Sequence, residues 1–119
     1  MTQATNWQVL SATTLIGDEV VNAANENLGK IEDLMLDLDR GRIAYAVLSF
    51  GGFLGMGSKL FAVPWDALAV DTTNRNFRLD VPKDKLEAAP GFDKDEWPDT
   101  FDSRFVGEVY SYYGTPQYW

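Results

Sequence analysis

Hydrophobic and polar residues alternate from Lys30 to Asp39: Leu34, Leu36 and Leu38 fall on one face, Asp33, Asp37 and Asp39 on the other. This is the period of a half-buried strand, and it predicts a leucine face turned inward. Arg40-Gly41 reads as a tight turn, with Gly41 tolerating positive φ. Arg42 to Phe50 then returns as a strand rich in β-branched and aromatic residues. A central hairpin results.

The flanking pattern predicts smaller elements. Ser11 to Gly17 makes one capped helical turn, Glu19 to Asn22 a short strand, and Ala24 to Asn27 a turn. Lys59 to Val63 resumes strand character until Pro64, which lacks an N–H, ends the ladder, and Trp65 to Leu68 forms a helical turn. Ala69 to Asp71 and Asn76 to Val81 form a second hairpin, and Pro82 to Ala89 a short helix. Phe92 to Thr100, charged and broken by Pro98, reads as an excursion over the surface. Asp102 to Tyr113 carries Phe105, Val106, Val109, Tyr110 and Tyr113 at helical spacing, capped by Asp102 and ended by Gly114. Five or six short strands with few helical residues between them predict a mainly β fold, a small antiparallel β-barrel with short helices and a C-terminal aromatic helix. Residues 1–10 form a flexible lead, 11–90 the barrel and 91–119 an extension packed on its own or a neighbouring barrel.

Composition narrows the function. A chain of 119 residues suits one core, and a net charge of −8 repels phosphate backbones and anionic headgroups. Nucleic acid and direct membrane insertion are therefore not expected, and no apolar run reaches spanning length. Without a leader-like N-terminus the default is a soluble cytoplasmic protein. No histidine or cysteine is present, which removes the imidazole base, the thiol nucleophile and the soft-metal ligands. The chain is read as no enzyme, with no cofactor.

Four blocks of the sequence carry a resemblance: Leu28 to Leu34, Gly41 to Val47, Phe50 to Gly55, and Phe61 to Trp65. Together they resemble the PRC-barrel domain, named for the photosynthetic reaction centre, over about residues 11 to 90. The family is similar to the cytoplasmic domain of the reaction-centre H subunit and to the C-terminal domain of a ribosome-maturation factor. The resemblance implies a barrel that binds proteins. It also implies two alternatives: an accessory in electron or proton transfer near a membrane complex, with Asp33 and Asp37 as relays, or assistance in ribosome assembly through a ribosomal protein.

Candidate contact residues follow from the pattern. Gly51 to Ser58 holds four glycines around Phe53, Leu54 and Met56, a hydrophobic loop suited to another subunit or a partner. Its Ser58-Lys59 order is wrong for a phosphate loop, which needs the lysine first. Phe105, Val109, Tyr110 and Tyr113 complete the expected interface, on a helix that would cover a barrel within one chain or across a homodimer. Glu32, Asp33, Asp37 and Asp39 are read as the wet face of a strand, because strand residues four apart lie roughly 13 Å from one another, too far to share one cation. The acids Asp93, Asp95, Glu96 and Asp99 are read as solvating a connection. Arg42 is expected to pair with Asp39 across the turn. The expected partners are a second copy of the chain and an unidentified protein.

Overall fold

The computed structural model describes residues 9–50, 59–98 and 103–119. Helix α1 (Ala12–Leu15) opens the fold, and the Ser11 hydroxyl caps it by accepting from the Thr14 N–H at 3.2 Å. The Gly17 N–H then donates to the Ile31 carbonyl at 2.8 Å, which ties the turn to the sheet.

Seven strands form one sheet: β1 (Glu19–Val21), β2 (Asn27–Asp37), β3 (Arg42–Phe50), β4 (Lys59–Pro64), β5 (Ala69–Asp71), β6 (Asn76–Arg78) and β7 (Gly91–Asp93). Their order across the sheet is β5-β6-β1-β2-β3-β4-β7. The all-antiparallel expectation is corrected at one ladder, where β1 and β6 run parallel, Glu19 to Val21 against Asn76 to Arg78. Closure is corrected too: among the described residues no ladder joins the edge strands β5 and β7, so the sheet stays open.

It is nevertheless strongly curled. β4 and β5 lie five places apart in the sheet, roughly 24 Å if it were flat. Residues 65–68 must join them, and a link that short spans no more than about 18 Å. The sheet therefore bends until its ends approach. A 3-10 turn at Trp65–Ala67 makes the crossing, and the Trp65 ring meets Phe77 of β6 with centroids 5.9 Å apart.

Curling creates an inside and an outside, and both are covered. On β4, Phe61 and Val63 enter an inner core with Val20, Leu28, Ile31, Leu48, Phe77 and Leu86, while Leu60 and Ala62 enter an outer core under helix α3 (Ser103–Tyr113). Two-sided burial explains why Ala44 to Leu48 are all buried instead of alternating with polar residues. Helix α2 (Lys83–Glu87) adds Leu86 to the inner core. The excursion expected over Phe92 to Thr100 is corrected at its start: Gly91–Asp93 pairs with Lys59–Phe61 of β4 and buries Phe92.

Asn22 is the buried polar residue among those described. Its Oδ1 accepts from the Ala24 and Glu26 N–H groups, and its Nδ2 donates to Glu26 Oε1 and to the Val81 carbonyl at 3.1 Å. A satisfied amide thus fixes the β1–β2 turn against the chain beyond β6.

Candidate functional site

The leucine face of β2 divides. Leu28, Ile31 and Leu34 are buried, but Leu36 is 62% exposed and Leu38, in the turn beyond the strand, is 84% exposed. The expectation that Leu34, Leu36 and Leu38 all face inward is corrected for the last two. The β2–β3 ladder has two irregularities, one between Ile31 and Asp33, the other between Met35 and Leu36, where burial along β2 stops. At the second, Met35 pairs with Tyr45 and Leu36 with Ile43, leaving Ala44 as an extra residue on β3. Such a bulge breaks the period of two and increases twist. The hairpin tip runs past the core.

A groove of about 590 Å³ lies beside that tip. Met35, Leu36, Leu38 and Tyr45 form the hairpin wall, Phe105 and Val106 of α3 with Pro98 the opposite wall, and Tyr118 and Trp119 one end. Asp37, Asp39 and Arg40, with Ala44 and Ser103, complete the lining.

The end of the groove is held by a polar chain. The Tyr118 hydroxyl donates to Asp37 Oδ2 at 2.7 Å, and the Arg40 guanidinium donates to the same oxygen at 3.3 Å. Arg42 lies 3.7 Å above the Tyr118 ring while donating to Asp66 Oδ1 at 2.8 Å. The expected Arg42–Asp39 pair is thereby corrected, because the turn carries Arg42 toward the 3-10 segment. The Tyr118 hydroxyl, followed by backbone and side-chain contacts from Arg40, holds the Asp37 carboxyl below its usual range. Burial first, and the Asp37 carboxylate second, push the Tyr118 hydroxyl up to about 12. Trp119 stands edge-on to Tyr110 with centroids 5.0 Å apart.

The expected interface residues fall in different places. Phe105 reaches the groove, whereas Val109 and Tyr110 are fully buried in the chain's own outer core, where the Tyr110 hydroxyl donates to the Ala44 carbonyl at 2.5 Å. Tyr113 is partly buried against both cores, and burial raises the pKa of its hydroxyl. Of the two packings expected for α3, the one seen for Val109 and Tyr110 is against the chain's own sheet. Phe53, Leu54 and Met56 lie outside the described residues. Among the described residues no three acidic groups gather as a cation site, and no helix is long and apolar enough to cross a membrane. Sequence reasoning missed Met35, Leu36, Leu38 and Tyr45 as groove residues. The available signal was Leu38 itself, an apolar side chain in a turn otherwise made of Asp39, Arg40 and Gly41.

The PRC-barrel domain model matches residues 8–86. The chain belongs to the PRC-barrel family. No curated protein matches it. Among solved structures it is similar to a protein described as a 16S ribosomal RNA processing protein, RimM, from Pseudomonas aeruginosa, at 17% identity and a TM-score of 0.45. The match covers 70% of this chain and 50% of that one, so the chain spans half the length of the solved protein. Within this PRC domain the hairpin wall of the groove lies inside the family match. The opposite wall, from Pro98 onward, lies outside it.

Proposed function

We propose that the chain is a non-catalytic protein-binding module of the PRC type, acting as an adaptor whose contact surface is the hairpin-tip groove. One observation carries this reading: two leucines that neither core holds stand exposed beside a concave, mainly apolar surface. An exposed Leu38 contributes little to folding, and burying it against a partner would contribute about 2 kcal/mol. The proton-relay alternative draws less support, because an Asp37 carboxyl held below its usual range stays ionised near neutrality.

The test is a photo-crosslinking amino acid placed at position 38 or, as a control, at the exposed Val70, with irradiation in living cells. Discrete protein adducts at 38 and not at 70 are expected. Equal labelling at both positions would overturn the reading.

A homodimer is the second reading. The projecting leucines and the groove lie side by side on one face, as a two-fold contact between identical surfaces requires. Sedimentation equilibrium distinguishes a monomer from a dimer, and Leu38→Ser should dissociate the dimer if this face forms it.

A further inference from the structure

We infer that the groove takes a cationic protein segment with apolar anchors, in preference to a second copy of this chain; the inference rests on the docking reading above. The apolar half of the recognition comes from Met35, Leu36, Leu38 and Phe105. The charged half comes from the rim. Arg40 is the one basic residue in the lining, and Asp37 already neutralises it at 3.3 Å. Asp39 is exposed and makes no ion pair among the described residues.

The lining therefore carries two carboxylates, Asp37 and Asp39, against the single Arg40, in a molecule whose formal charge is −8. A second copy would bring the same charge to the same place, whereas lysine or arginine flanking an apolar anchor would meet Asp39 as the anchor covers the leucines. Opposite charge raises the encounter rate and selects among apolar segments that would otherwise bind alike.

The test uses the whole chain and a fluorescein-labelled synthetic peptide of about twelve residues, two leucines flanked by lysines, followed by anisotropy. Two analogues replace the lysines by glutamate or the leucines by serine. The lysine–leucine peptide should bind, weaken as salt rises across the range in which surface charges are screened, and bind roughly tenfold more tightly than either analogue. Asp39→Lys should weaken it roughly threefold, Leu38→Ser roughly tenfold, and Val70→Ser not at all.

Equal binding of the glutamate analogue would overturn the inference, as would indifference to Leu38→Ser. A Leu38-dependent dimer that the peptide fails to dissociate would overturn it in favour of a second copy. The two readings fail separately: loss of the position-38 crosslinks removes the docking surface itself, whereas crosslinks without a preference for cationic peptide remove only the charge assignment.

Discussion

Gly29 sits at φ +104, and a Cβ built there would lie 2.2 Å from the Ser49 carbonyl oxygen of the neighbouring strand. Both the conformation and the lack of space demand glycine. Gly29→Ala should cost about 3 kcal/mol or more, read as a lowered urea midpoint. Tyr118 makes a different prediction, through pH. Its folded pKa, about 12, lies above the ordinary tyrosine value of 10.0, so its contribution is fully present below pH 10 and is lost as pH rises through 12. Asp37 is depressed, so its contribution is present above the ordinary 3.8 and is lost in acid, as pH falls through its folded value. Tyr118→Phe should lower the urea midpoint near neutrality, and the difference from the parent should shrink below pH 3.8. Urea titrations across that range check it; a difference independent of pH would disconnect Tyr118 from Asp37. Neither residue announces this in the sequence. The partner of Tyr118 is 81 positions away, and Asn22 reaches the Val81 carbonyl across 59.

At the scale of elements, the strands and helices with a clear period were legible. The β2–β3 hairpin, the short helix near Leu86 and the aromatic helix α3 all stand close to where apolar spacing puts them. What failed was the assumption of an unbroken period. One irregularity in the β1–β2 ladder, between Asn27 and Lys30, and one in β2–β3, between Ile31 and Asp33, move burial to positions 28, 31 and 34, a spacing of three that simple alternation does not anticipate. β7 escaped notice because three residues, the first of them the glycine of a Pro-Gly pair, carry almost no pattern before an acidic turn. The two kinds of apolar residue should respond differently to truncation. Val109→Ala, in the outer core, should cost about 2 kcal/mol. Leu36→Ser with Leu38→Ser should stay within about 0.5 kcal/mol of the parent. Chemical denaturation of the two variants checks the contrast, and a large loss in the leucine pair would show that the tip supports the fold.

For the whole molecule, the sequence reveals the class of fold and hides the site. Strand composition and the family's blocks suffice for a curled β domain, because they record local periodicity. The groove joins the hairpin to α3 and the chain's last residues, two walls separated by some sixty positions, and no local pattern reports how they meet. One consequence of the parallel ladder concerns assembly. β1 leaves the ribosome before β6, yet one of its flanks is completed only by that strand, about fifty-five residues later. During that interval the nascent chain holds an incomplete hydrogen-bonding edge beside Val20, a side chain that ends with no solvent contact at all. The domain cannot mature from its N-terminus outward, strand by strand, and must wait for its sixth strand before its first is finished.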